Sequence, residues 1–126
     1  MLPKNVINWF QIPTLDFARA QKFYSTILGN EIKVMEFNGQ TMGFFPMSGD
    51  MQDVGGNLMP PAPDNIPGKT GTTVFLACDG QLDQVIARVI PAGGKILMPK
   101  GSLGDPGFIA VIEDTEGNRV GLHSRK

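Results

Sequence analysis

The stretch NWFQIPTLDFARAQKFYSTILG, residues 8–29, decides the fold, because it joins a strand to a helix through a short turn. Apolar and β-forming residues over 5–12 predict the strand, and Pro13 ends it. Thr14 is a good N-cap, apolar residues follow it at helical spacing, and Gly29 is a typical C′ residue. The turn residues that come next predict three short strands at 31–37, 41–47 and 54–59.

The same order recurs in the second half of the chain. The segment VFLACDGQLDQVIARVIPAGGKI, residues 74–96, places a β-branched and aromatic run, predicted as a strand over 72–77, before a helix. The apolar residues of this helix fall at i, i+3, i+4, i+7 and i+8 from Leu82, the stripe of a helix that packs on a sheet. Further strands are predicted at 95–98, 108–113 and 119–123.

The two halves are separated by PPAPDNIPGKT, whose four prolines can neither continue a helix nor form a central strand. The order β-α-β-β-β on both sides predicts a diverged tandem duplication. We therefore expect an α+β fold in a single domain over residues 1–126. Its parts are module one (about 5–59), a linker (60–70) and module two (about 71–124).

Composition and charge exclude several classes of protein. The 126 residues include 16 Gly and 10 Pro, and these two residue types, which interrupt helices, make up about a fifth of the chain. This share is too high for a helical bundle or coiled coil. Eleven basic and twelve acidic residues are scattered and give a net charge of -1, so there is no basic stripe for nucleic acid or an anionic membrane. We expect neither as a partner.

Targeting and metal-binding signals are also weak. Asn8 and Gln11 interrupt the apolar run near the start of the sequence, so we expect no signal peptide, and no apolar run is long enough to span a bilayer. A single cysteine, Cys78, fits a reducing, cytoplasmic setting, and we expect an inert thiol. One cysteine and one histidine, His123, cannot make a Cys- or His-rich metal cluster.

Each predicted module covers one face of its sheet with one helix and leaves the other face bare. Two modules packed side by side would curl the bare faces into a cup, which is a ligand site by geometry. The alternative is that a partner subunit or the protein's own side chains close that face.

Four segments carry a family resemblance. Residues 8–29, GGNLMP at 55–60, residues 74–96 and IEDTEGNRVGL at 112–122 occur in the order and spacing of the vicinal oxygen chelate superfamily, which includes glyoxalases, bleomycin-resistance proteins and extradiol dioxygenases. The chain resembles that superfamily over nearly its whole length. The resemblance implies tandem βαβββ modules in a curved mixed sheet with a cup-shaped cavity, helices on the outer face, and a homodimer.

The resemblance also implies positions for a metal site. Enzymes of the superfamily place up to four ligands, typically His, Gln or Glu, on the first and last strands of each module. The matching positions here are Trp9, Thr73 and Gly121, and either Gly56 or Asn57. Indole, hydroxyl and glycine are poor ligands for a divalent cation. We therefore expect no metal and no cofactor.

If Trp9 faces the cup, strand alternation places Gln11 beside it and turns Phe10 and Ile12 toward the helix. Trp9 would then either stack on a planar ligand or fill the vacated metal position. The same rule assigns cup positions in module two and makes Val120 and Leu122 core residues. The candidate ligand-binding residues are Trp9, Gln11, Phe44, Asn57, Thr73, Phe75, Arg119 and His123.

Other polar residues have simpler roles. His123 is the natural general-base candidate because its ordinary pKa lies near neutrality, but a lone histidine is more often a hydrogen-bonded surface residue. Glu113, Asp114 and Glu116 lie in a predicted hairpin turn, where we expect solvated side chains. The glycine-rich stretch 101–107 is expected to form a rim loop.

Three functions follow from these patterns. The leading hypothesis is a protein that binds a small molecule in the cup without a catalytic metal. The alternative is a metal-dependent lyase, isomerase or epimerase of the glyoxalase type that uses displaced ligands such as Gln11, Glu36 and His123. The third is a dimeric interaction module with a closed cup.

Overall fold

The computed structural model describes residues 4–50 and 53–126, and in these the predicted element order is confirmed. Each module contains one helix and four strands in the order β-α-β-β-β. The elements are β1 (Trp9–Pro13), α1 (Phe17–Leu28), β2 (Lys33–Phe37), β3 (Gln40–Phe44), β4 (Gly55–Met59), β5 (Phe75–Ala77), α2 (Leu82–Val89), β6 (Lys95–Ser102), β7 (Phe108–Glu113) and β8 (Arg119–Ser124).

The strands form two mixed sheets with the same topology. Their orders are β1-β4-β3-β2 and β5-β8-β7-β6, and in each sheet the first strand of the module runs parallel to the last. The other pairs are antiparallel. This repetition confirms the α+β fold class, and it places the first and last strands of each module side by side.

One apolar core holds the helices and sheets together. The buried faces of the two helices meet, with Phe23 and Ile27 from α1 and Val85 and Val89 from α2 almost fully buried. Full burial of such side chains contributes about 1.5–3 kcal/mol each. The predicted inward residues join this core as Ile12, Val120 and Leu122.

The predicted start of α1 is wrong by two residues. Asp16, not Thr14, is the N-cap, and its carboxylate accepts a hydrogen bond from the Arg19 N–H at 3.1 Å. The Thr14 hydroxyl is buried and donates to the Met59 carbonyl at 2.7 Å, so it ties the end of β1 to β4. Gly29 ends the helix with a φ of 67°, as predicted.

Two strands of module two also differ from their predicted lengths. β5 begins at Phe75, so Thr73 precedes the strand. β6 continues through Pro99 to Ser102 because it is the edge strand of its sheet and its pairing with β7 shifts register twice. Proline is tolerated at such edges and bulges.

The prediction of solvated carboxylates in the β7–β8 turn is wrong for Asp114 and Glu116. Both are only 3% exposed, because the turn packs against α1 of the other module. The Tyr24 hydroxyl donates to Asp114 at 2.6 Å, and Asn118 donates to the same oxygen at 2.9 Å. These carboxylates join the two modules.

The two helices have 12 and 8 residues. In the described part of the chain, no helix has the length and apolar character needed to cross a bilayer.

Candidate functional site

Strand alternation leaves one side of each sheet uncovered by its helix. In module one, Phe17 of α1 lies over Gly43 and near Leu58, which marks the covered side. The opposite side, here called face one, carries the residues that pair across the strands through Gln11↔Asn57, Phe44↔Asn57 and Met35↔Met42. Face one consists of Trp9, Gln11, Met35, Met42, Phe44, Asn57 and Met59.

Asn57 organises face one. Its side chain is fully buried, and its Oδ1 accepts hydrogen bonds from Trp9 Nε1 at 2.7 Å and from Gln11 Nε2 at 3.4 Å. Its Nδ2 donates to the Leu58 carbonyl at 3.0 Å. The Trp9 ring also meets Phe44 edge to face, with centroids 6.1 Å apart. The carboxamide of Asn57 is therefore used within the protein and fixes the orientation of the indole.

The position that the sequence left open between Gly56 and Asn57 now has a geometric answer. A Cβ at Gly56 would lie 2.3 Å from the Phe10 ring, which belongs to the covered side of the sheet. Asn57, one residue later, points to face one. Of the two candidates, only Asn57 therefore lies on the same face as Trp9, although in the register of the sheet Asn57 pairs with Gln11 and Trp9 pairs with Gly55.

The uncovered side of module two, here called face two, contains Phe75, Ala77, Ile109, Val111, Glu113, Arg119, Gly121 and His123. Phe75 pairs with Gly121, and a Cβ there would lie 2.3 Å from the Phe75 ring. Only glycine allows the ring to lie this close to the backbone of β8. The half-exposed ring therefore forms the floor of face two.

Two polar side chains flank that ring along β8. Arg119 Nη1 donates to the hydroxyl of Thr73, which precedes β5. His123 Nε2 lies 2.7 Å from the Pro106 carbonyl. Because a carbonyl can only accept, the histidine carries a proton on Nε2. The other ring nitrogen, Nδ1, has no hydrogen-bond partner among the described residues, so a ligand could use it.

The predicted site residues thus lie in two separate groups, one on each face. Face one joins Trp9, Gln11, Phe44 and Asn57, and face two joins Thr73 and Arg119 beside Phe75 and His123. A groove of about 980 Å³ lies between β1 and β4 on one side and β5 on the other. It is lined by residues that include Ile7, Phe10, Phe45, Thr73, Phe75 and Cys78. Of the eight predicted site residues, only Thr73 and Phe75 are among its lining residues, so the groove does not bring the two groups together.

The donor set at the superfamily's ligand positions does not fit a divalent cation. Trp9 Nε1 is a donor that is already bonded to Asn57, Gly121 has no side chain, and the Thr73 hydroxyl faces the Arg119 guanidinium. Across residues 4–50 and 53–126, no group of three His, Cys, Asp or Glu side chains could hold a metal ion.

The metal ligands proposed for the alternative enzyme, Gln11, Glu36 and His123, do not lie on one face. Met35 and Met42 are paired on face one, so Glu36 and its partner Thr41 point to the other side of the sheet. Gln11 lies on face one and His123 on face two. Glu36 and Gln11 therefore cannot share a metal on the same side of module one.

Cys78 is not a reactive nucleophile. Burial raises the pKa of its thiol to about 11, and the sulfur contacts the Leu76 carbonyl at 3.6 Å. A thiol with this pKa is almost entirely protonated at neutral pH, and the thiolate is the reactive form.

A family model describes this fold and sequence together. The model of the Glyoxalase/Bleomycin resistance protein/Dioxygenase superfamily matches residues 6–122. The chain belongs to this superfamily. Proteins named "Putative glyoxylase CFP32" from Mycobacterium bovis and Mycobacterium tuberculosis are 30% identical to it over 117 residues. The match covers 91% of this chain, but the chain spans only 44% of the length of these relatives.

Solved structures show the same fold at low sequence identity. A glyoxalase/bleomycin resistance protein from Albidiferax ferrireducens superposes with a TM-score of 0.76 at 18% identity, and the match covers 97% of this chain and 100% of that one. The fosfomycin resistance protein FosX from Listeria monocytogenes has a TM-score of 0.64 at 14% identity, over 98% and 94% of the two chains.

Sequence reasoning missed the groups that join the modules. Tyr24 lies in the first predicted helix and Asp114 in the last predicted turn, and nothing in the local sequence indicates that they meet. They are 90 positions apart and are joined by a hydrogen bond. The only local signal was the density of acidic and Asn residues in the turn, which is equally typical of a solvated hairpin.

Proposed function

We propose that this protein binds a small organic molecule on faces one and two without a catalytic metal. The observation that carries the proposal is the hydrogen bond from Trp9 Nε1 to Asn57 Oδ1, because it joins two residues that the resemblance matches to metal-ligand positions, Asn57 being one of two candidates for its position. With Gly121 at a third position and Thr73 bonded to Arg119 at the fourth, the side chains favour contacts with a ligand over coordination of an ion.

The proposed roles follow from the chemistry of each side chain. Trp9, Phe44 and Phe75 supply aromatic surface, and the methionines of face one supply an adaptable apolar wall. Gln11, Arg119 and His123 supply hydrogen bonds that orient the ligand, with Asn57 and Thr73 positioning their neighbours. We assign no catalytic residue.

We also propose a homodimer in the cytoplasm. Face one and its edge expose large apolar groups in the single chain, with Trp9 40% exposed, Met35 50% and Phe37 61%. Exposed apolar side chains on one side of a sheet are often covered by a partner protein or a ligand. A second copy of the chain and the ligand could each cover part of face one. The ligand would then lie either between the two modules of one chain or between modules of two chains.

Two measurements test the proposed function. Elemental analysis of the purified protein should find no stoichiometric divalent metal, and a thermal-shift screen of small organic molecules should find compounds that raise the unfolding midpoint. The shifts should fall in Trp9→Ala and persist in a control with Ile66→Ala, an exposed residue outside both faces.

The alternatives predict different results. The mycobacterial relatives are named as glyoxylases, so an enzyme of that type would show chelator-sensitive turnover of a hemithioacetal or 2-oxo substrate and one tightly bound metal per chain. That outcome would overturn the proposal. An interaction module with a closed cup would show a dimer and no compound that shifts the midpoint.

A further inference from the structure

We infer that face two selects an anionic ligand with a flat, apolar body, such as an aromatic carboxylate. This inference rests on the proposed function and specifies the ligand class for that site. It is argued from the arrangement of Phe75, Arg119 and His123 around Gly121.

The floor of the site is flat and apolar. The Phe75 ring packs on the backbone at Gly121 and is 47% exposed, so one side of the ring is available for contact. Beside the ring on face two, Val111 is buried, and the exposed neighbour along β5 is Ala77, which has a small apolar side chain. A planar apolar group can stack here without displacing any polar atom.

The charges beside this floor are unbalanced. Lys95, Glu113 and Arg119 lie in one row across β6, β7 and β8. The single carboxylate of that row, Glu113, forms its ion pair with Lys69 at 3.3 Å. In the described parts of the chain the Arg119 side chain forms no ion pair, and its one side-chain hydrogen bond goes to the neutral hydroxyl of Thr73. Three cations therefore surround one carboxylate.

The spacing fits one small ligand. Arg119 and His123 each lie two residues from Gly121 on β8, which is roughly 6.5–7 Å in opposite directions along the strand. A fused aromatic ring over Phe75 could therefore place a carboxylate at the Arg119 guanidinium, which binds carboxylates through parallel N–H donors. A donor at the other end of the ligand could reach His123 Nδ1.

The test compares two probes of equal shape, 2-naphthoate and the neutral 2-naphthamide, by isothermal titration calorimetry. We expect naphthoate to bind the unmodified protein at least about tenfold more tightly than the amide, as is usual for a hydrogen bond to a charged group. Arg119→Gln should abolish this preference. Lys22→Gln removes an exposed cation from α1, away from face two, and it should leave the preference unchanged.

A second variant tests whether the aromatic ring of the probe stacks on Phe75. Phe75→Ala should weaken both probes by a similar factor, because it removes the floor and not the charge. Equal affinity for the two probes, an unchanged preference in Arg119→Gln, or no binding of either probe would each overturn the inference. The proposed function would survive such a result if a neutral compound raised the unfolding midpoint in a Trp9-dependent way, and would fail separately if no compound did.

Discussion

Replacing Glu116 with Gln should weaken the junction between the two modules. Oε1 of this carboxylate accepts the N–H groups of Leu15 and Asp16, at 2.8 and 2.7 Å, at the start of α1. Oε2 accepts Arg19 Nε at 2.8 Å and the Thr115 hydroxyl at 2.7 Å. The side chain has no exposed surface. An amide of the same shape would keep the contacts of one oxygen and lose the charge.

The loss of stability expected for Glu116→Gln can be worked out from the pKa of Glu116. Burial alone would raise it, but the hydrogen bonds from Arg19, the Asp16 N–H, Thr115 and the Leu15 N–H outweigh burial and lower the pKa from 4.5 to about 2. At 1.36 kcal/mol per pKa unit this corresponds to about 3 kcal/mol. Because Arg19 is 49% exposed and its charge is partly screened, we expect Glu116→Gln to cost about 2 kcal/mol at pH 7.

The same contribution should depend on pH. The pKa of Glu116 is lower in the folded state than in the unfolded state, so the stabilisation is complete above 4.5 and is lost as the pH falls toward 2. The free energy of unfolding in urea should therefore differ between wild type and Glu116→Gln at pH 7, and the difference should shrink by pH 3.

Asp83→Asn is a matched control, since it also removes a carboxylate from an ion pair. Asp83 is 74% exposed where it meets Lys100, and such surface pairs contribute about 0–1 kcal/mol. Equal stability of wild type and Glu116→Gln at pH 7, or a difference that stays constant down to pH 3, would refute this account of the junction.

Three further predictions concern buried polar groups. Tyr24→Phe removes the donor at 2.6 Å from the buried Asp114 carboxylate and should lower the free energy of urea unfolding by about 1.5–3 kcal/mol; no loss would show that the bond is not needed. Asn57→Ala removes the hydrogen-bond acceptor of Trp9, the only tryptophan, so the fluorescence emission of Trp9 should shift to the red. The free energy of unfolding should fall by about 1–3 kcal/mol, and an unchanged emission spectrum would contradict the role assigned to Asn57. Cys78 should react with a thiol reagent far more slowly in native than in urea-unfolded protein at pH 7.5, whereas equal rates would contradict its burial and raised pKa.

Local patterns were sufficient for the type and order of the elements, although not for all of their bounds. The helical stripe after Leu82, the glycine at position 29 and the alternation around Trp9 each depend on neighbours within a few residues, and each appears in the structure. The exception is Ile90, the last residue of the predicted stripe, which follows the helix and is 66% exposed. The cap at Thr14 failed for a nonlocal reason, because Met59 lies within hydrogen-bond reach of its hydroxyl.

The candidate site was predicted in part. Alternation places Gln11 on the same side as Trp9, but it could not choose between Gly56 and Asn57, since that choice depends on the contact of Gly56 with the Phe10 ring. It also could not show that the Asn57 carboxamide is fully used by neighbouring groups.

The sequence by itself determined the repeated βαβββ order, the membership of the superfamily and the alternation of β1, because these follow from periodicity, turn residues and short motifs. Only the tertiary structure decided which carboxylates are buried and which polar atoms are satisfied. Glu116 and Arg19 are 97 positions apart, and their contact exists because module two packs its last turn on the first helix of module one. A charge in a turn has the same local sequence whether it meets water or a partner, so packing alone distinguishes the two.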